Sequence, residues 1–228
     1  MKYQKRRMRK RPYRRRRKYR LTRNPARRWD SANTVSGVPK TRIIKMRYCD
    51  NVFIQNVAGA LNTAAFRANS IFDPNVALGG HQPMGRDFWA QAYKEYCVLG
   101  AKITLYCGND NAEVPVTTGI TVNSNTNPLY TETTTYMEAK AGQWVQLMDN
   151  RNAKRICTTY SAKKYWNLGD VKDNREEIGA AQTQNPAKQC YFVIWSQPND
   201  RLATTITRYT VVIDYIVSFS DPILQPEN

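Results

Sequence analysis

The residues with the plainest chemistry are cations at the N-terminus. Residues 1–28 hold 16 of the chain's 35 Lys and Arg and no Asp or Glu, and the first carboxylate is Asp30. The candidate nucleic-acid contacts are Lys5, Arg6, Arg7, Arg9, Lys10, Arg11, Arg14, Arg15, Arg16, Arg17, Lys18, Arg20, Arg23, Arg27 and Arg28. At that density they make a ligand for a polyanion, because each neutralised phosphate releases condensed counterions. If all sixteen met a single strand, log K against log salt would slope at about −11, an upper bound. Tyr3, Tyr13 and Tyr19 interleave with them and Trp29 follows. Such rings can stack on unpaired bases at roughly 1–3 kcal/mol each. Phosphate contacts carry no base information, so no sequence specificity follows.

Nothing comparable points to catalysis. The chain has no phosphate-cradling G-x-x-x-x-G-K-[ST], no G-x-G-x-x-G and no G-x-S-x-G. Its single histidine, His81, lies in the turn-rich Gly79-Gly80-His81-Gln82-Pro83, where a structural or surface role is expected. Glu176-Glu177 is the one adjacent acidic pair, and it reads as part of a solvated loop over 169–188. No enzyme, cofactor or metal site is expected; a single histidine and no paired ligand spacing argue against a zinc centre. The five cysteines, Cys49, Cys97, Cys107, Cys157 and Cys190, form no C-x-x-C pair. They read as reduced and mostly buried. Membrane insertion is not expected either. The longest apolar run, Cys190–Trp195, is too short to span, and polar Asp30–Thr34 follows the basic stretch where a signal peptide would be apolar.

The elements that carry these residues divide by charge. Removing residues 1–28 leaves 19 basic and 18 acidic residues, so the formal +17 sits almost wholly on the N-terminal segment. Low complexity, mutual repulsion, Pro12 and Pro25 predict disorder there in isolation. A polar linker is expected over 29–39.

The remaining roughly 200 residues are enough for one domain with a sizeable core. Period-2 alternation predicts strands. The even positions Ile44, Met46, Tyr48, Val52 and Ile54 oppose Lys45, Arg47 and Asn51. The odd positions Leu99 to Cys107 oppose Lys102 and Thr104, and Val114, Val116, Ile120 and Val122 form a third face. Cys190–Trp195 reads as a strand buried on both sides. From Thr205 to Phe219 the alternation predicts one long strand, or one bent by a bulge. Weaker strands are expected near 133–137, 143–148 and 155–160, and a single helix over Asp87–Tyr96 with Asp87 as its N-cap. The class is all-β, a sandwich or jelly roll.

One segment carries a family resemblance. It contains Phe66-Arg67-Ala68-Asn69-Ser70-Ile71-Phe72-Asp73-Pro74-Asn75, Gly80-His81-Gln82-Pro83-Met84-Gly85, Asp87-Phe88-Trp89 with Tyr93, and Tyr96-Cys97-Val98. It resembles the capsid proteins of circular single-stranded-DNA viruses, the circovirus-like group, closely over about 30 positions and in layout over most of the chain. That resemblance implies an eight-stranded viral jelly roll of two packed antiparallel sheets, with one or two short helices and a disordered basic arm. It also implies self-assembly into a T=1 icosahedral shell of about sixty copies, a single-stranded DNA cargo, and nuclear import through host receptors.

On this view residues 1–39 are the arm and linker, and 40–228 the shell domain. Asn69, Asp73, Pro74, Gln82, Pro83 and Gly85 are structural turn residues near subunit contacts. Lys40, Arg42, Lys45 and Arg47 are inner-wall candidates, or else a solvated strand face. Two other classes stay open: a cellular RNA-binding protein of ribosomal type with a basic extension, and the coat of a small RNA virus.

Overall fold

The alternation is realised in a computed structural model, which describes residues 34–35, 38–77, 79–111, 113–140, 142–148, 153–171 and 174–223. The candidate contacts of the basic segment, Lys5 to Arg28, lie outside the described residues. Asn33–Asn228 form one unit. In chain order its elements are β1 (Thr34–Val35), β2 (Val38–Pro39), β3 (Thr41–Asn56), β4 (Asn62–Arg67), α1 (Arg86–Ala92), β5 (Tyr93–Asn109), β6 (Val116–Asn123), α2 (Thr133–Glu138), β7 (Gln143–Leu147), β8 (Lys154–Ser161), α3 (Ala162–Tyr165), α4 (Arg175–Ile178), β9 (Gly179–Ala181), β10 (Tyr191–Pro198) and β11 (Thr205–Pro222).

Two antiparallel sheets hold the long strands. One has the order β3-β11-β5-β8, with β9 also on β5, and the other has the order β4-β10-β6-β7. The pairs are nested. The first long strand, β3, lies against the last, β11; β4 lies against β10, β5 against β8 and β6 against β7. Successive pairs alternate between the sheets, which is the winding of an eight-stranded jelly roll. The core between the sheets is built from inward positions of all eight strands. Met46, Tyr48, Ile103, Leu105, Val211, Ile213 and Tyr215 come from one side, and Phe66, Ile120, Leu147, Phe192 and Ile194 from the other. Phenols tie the layers together: Tyr215 donates to the Arg67 carbonyl at 2.8 Å, and Tyr209 meets Thr118 Oγ1 at 2.8 Å.

The long C-terminal strand is realised as the continuous β11, and the bulge lies on its partner β5. The β11–β5 register shifts between Ile216 and Val217, where Leu99 is the extra residue on β5. Several local expectations are corrected. The helix covers Arg86–Ala92 rather than Asp87–Tyr96, because Tyr93 turns extended and begins β5. Its N-cap is Gly85, not Asp87, and Asp87 accepts instead from the buried Arg86 guanidinium at 3.1 Å. Residues 133–138 are a helix, not a strand, since helical spacing lets Thr133 and Tyr136 both bury against β10. Four short helices occur among the described residues where one was expected over 87–96. Strands β4 and β9 had no alternating signal, and α4 with β9 lies inside the expected loop over 169–188. Within the expected linker, β1 pairs β2, and Val38 packs on the core.

Two predictions follow from the packing. Gly119 sits opposite Trp195, and a Cβ there would collide with the Trp195 ring and come within 2.6 Å of the Gln143 carbonyl. Gly119→Ala should therefore lower stability by about 1–3 kcal/mol, read from the denaturant midpoint. Second, burial raises the phenols of Tyr209 and Tyr215 above their ordinary value of 10.0. A phenol that ionises more readily in the unfolded chain leaves stability intact below that value and removes it as pH rises beyond. Circular dichroism should show unfolding above about pH 10, concerted with tyrosinate absorbance.

Candidate nucleic-acid interface

The two sheets differ on their outer faces. Both faces of β10 are buried, because the segment linking β6 to β7 folds back over it. Tyr136 of α2 stacks on Trp195 at 4.5 Å, and its hydroxyl accepts from the amides of Leu129 and Tyr130. Thr133 donates twice to the Gln197 side-chain carbonyl, at 3.0 and 3.2 Å. Among the described residues, no segment covers the outer face of β3-β11-β5-β8 in this way along its central rows. Lys45, Arg47, Lys102, Arg155 and Arg208 are all exposed on it, as are Phe53 and Tyr106.

Strand register arranges this face in rows. Arg47 lies opposite Asp214, Asp214 opposite Lys102, and Lys102 opposite Thr159. The next rows run Cys49, Val212, Thr104, Cys157; then Asn51, Thr210, Tyr106, Arg155; then Phe53, Arg208, Gly108. Arg47 is held by Asp214 through two bonds, at 2.7 and 3.3 Å, and that bond raises the guanidinium pKa further above its ordinary value. Arg208 is anchored by Asp110 at 2.7 Å at the strand end. Lys45, Lys102 and Arg155 form no ion pair among the described residues, so the face keeps a cationic surplus.

Of the inner-wall candidates, Lys45 and Arg47 share this face. Arg42 lies at the opposite parity of β3, across from Phe219, and Lys40 precedes the strand. Alternation marks Lys102 as outward on its own strand but does not join it to Lys45 and Arg47, and Arg208 falls on the outward parity of the long C-terminal strand. Arg155, Phe53 and Tyr106 had no signal of their own.

The turn residues lie elsewhere and hold backbone groups or, for Asp73, the Arg67 guanidinium. Asn69 is buried, donating to the Lys188 carbonyl at 2.7 Å and accepting from the Cys190 amide at 2.9 Å. Asp73 accepts from Arg67 at 2.8 Å, and the Pro74 carbonyl accepts from the Arg67 amide at 2.7 Å. Gln82 donates to the Phe72 carbonyl at 2.7 Å. The Pro83 carbonyl accepts from the Arg86 amide across a turn whose third residue, Gly85, has φ 80° and ψ 0°, the type II geometry that glycine suits. His81 is exposed and stacks on Tyr48 at 4.6 Å. Glu176 and Glu177 are exposed, and Glu177 pairs with Lys188.

No family model and no curated protein matches the chain. Solved structures similar to it include Desmodium yellow mottle tymovirus, with 14% identity over 86% of this chain and 95% of that one and a TM-score of 0.43. Another is a T=1 subviral particle of a Penaeus vannamei nodavirus capsid protein deletion mutant, with 10% identity over 77% and 97% and a TM-score of 0.42. A third is the decameric BFDV capsid protein, with 13% identity over 78% and 99% and a TM-score of 0.37.

All five cysteines are free; Cys97, Cys107 and Cys190 are buried, whereas Cys49 and Cys157 are exposed in one row of the cationic face. Burial pushes the Cys97 thiol up to about 11 and those of Cys107 and Cys190 up to about 12. Only a thiolate reacts, so an aromatic disulfide reagent should count two thiols in the native protein and five after unfolding.

Proposed function

We propose that the chain is the coat protein of a small virus, self-assembling into a T=1 shell of about sixty copies around a single-stranded genome. The observation that carries this reading is the charge division. Sixteen cations precede the first carboxylate, on a chain whose nearly neutral remainder winds into a jelly roll. Viral capsids are among the recurrent users of that winding. Residues 1–39 act as an arm and linker that neutralise packaged phosphate, and 40–228 tile the wall. Asn69, Asp73, Pro74, Gln82, Pro83 and Gly85 shape a loop region near subunit contacts. A circular DNA cargo and nuclear import through the same basic run rest on the resemblance of residues 66–98. Packaging is non-specific, and the role is structural rather than enzymatic.

The arithmetic is favourable. About sixty arms would bring roughly a thousand positive charges inside, enough to offset much of a small genome's phosphate. Electron microscopy of the purified full-length protein should show closed, uniform particles. A monodisperse monomer across salt and pH would overturn the proposal. Replacing Arg14, Arg15, Arg16 and Arg17 by Ala should flatten the log K against log salt slope by about 3 for single-stranded DNA. An unchanged slope would take the arm out of the binding.

A further inference from the structure

We infer that the cationic outer face of the β3-β11-β5-β8 sheet carries two clefts that take the bases of a single-stranded nucleic acid, one over Gly108 and one over Gly100. The inference deepens the packaging reading and rests on it. Both glycines point outward on β5, the strand that also presents Lys102 and Tyr106. A Cβ placed on Gly108 would meet nothing within 4 Å, so the missing side chain leaves open space. That cleft has a volume of about 440 Å³. Its walls are rings: Phe53 is 65% exposed and Tyr106 is 44% exposed. They stand two strands and one row apart, about 12 Å between backbones, with Arg208 and Thr210 of β11 between them. A flat base can lie over Gly108 against either ring, stacked as single-strand binders stack bases. Thr210 and Asn51, joined by a 2.8 Å hydrogen bond, put polar edges on the floor. Arg155 shares the Tyr106 row and is available to phosphate.

The second cleft, of about 640 Å³, lies over Gly100. Its cations are Lys45, Arg47 and Lys102, and its apolar wall is Ile216, 41% exposed. Eight residues of β5 separate the two glycines, roughly 26 Å, a span suited to a short run of nucleotides. Charge selects the occupant. A second copy presenting this face would set cations against cations, whereas a polyanion satisfies them and its bases cover the exposed rings.

Cys49 and Cys157 lie in the row between the clefts and serve as native footprint reporters. The full-length protein is alkylated with a maleimide, alone and with an oligo(dT), an oligo(U) or an abasic strand, each of about 12 nucleotides. Oligo(dT) should slow modification of Cys49 and Cys157 at least about fivefold, and the abasic strand should not. Phe53→Ala with Tyr106→Ala, and separately Gly108→Leu, should remove most of that protection while far-ultraviolet circular dichroism stays unchanged. Photo-crosslinks to oligo(dT) should map to Phe53 or Tyr106. Equal protection by oligo(U) supports a site for any single strand, and protection by oligo(dT) alone supports a DNA site. Equal protection by the abasic strand would overturn the clefts in favour of phosphate contacts alone. Crosslinks confined to residues 1–28, with both thiols unprotected, would also overturn them and leave the packaging reading intact. Protection that depends on protein concentration without oligonucleotide would make the face a contact between copies and overturn the inference. Absence of both particles and nucleic-acid binding would instead overturn the packaging reading itself.

Discussion

Strand β11 is the hinge of the architecture, because it is paired along both edges. It meets β3 from Thr205 to Ser220 and β5 from Thr207 to Pro222. Every ladder bond is antiparallel, so each residue of β11 fixes which residues of its neighbours share its face. A slip of one position would invert that assignment, sending Tyr209, Val211, Ile213 and Tyr215 to solvent. The same register sets Asp214 between Arg47 and Lys102, and Arg208 between Phe53 and Gly108. The core and the outer face are thus two readings of one alignment, and the cost of exposing the core protects the pattern outside.

The second determinant is unequal coverage. The outer side of β10 and β6 is dressed by α2 and the segment before it, with Tyr136 on Trp195 and Thr133 on Gln197. Gly119 makes that dressing feasible, since any side chain there would displace the indole. The opposite sheet has no such dressing among the described residues and fills its central outer rows with cations, two exposed rings and two outward glycines. One face spends its aromatics inside the fold, and the other leaves them available.

Charge is segregated at two scales. Along the chain, the N-terminal segment is acid-free and the remainder is nearly neutral. Within the remainder, carboxylates such as Asp214 and Asp110 fix individual guanidinium groups, while Lys45, Lys102 and Arg155 form no ion pair among the described residues. A dense tethered polycation supplies affinity that weakens with salt, and a fixed cationic sheet supplies position. In the proposed packaging, the arm gathers phosphate and the sheet orders a part of the strand.

Much of the fold was legible in the residues. Period-2 alternation located β3, β5, β6 and β11, because one sheet face must be apolar and the other need not be, and a continuous apolar run located β10, which is buried on both faces. It failed where tertiary demand outweighed local pattern. Thr133–Glu138, rich in β-branched residues, coils into a helix to seat Tyr136. Tyr93 leaves the apparent helix of Asp87–Tyr96 to join β11, and Asn62–Arg67 is a strand of mostly small residues with no contrast to read. By itself, then, the sequence determined the charge division, the all-β class and the outward side of each major strand. Those properties live in composition and in nearest-neighbour spacing. Only the tertiary structure decided which outward sides adjoin, which sheet is covered, and where Phe53, Tyr106, Arg155 and Arg208 meet. Contacts on that face join residues as far as 167 positions apart, as Arg47 and Asp214 are. Strand pairing at that range is set by the packing of the whole domain, and no local window of residues records it.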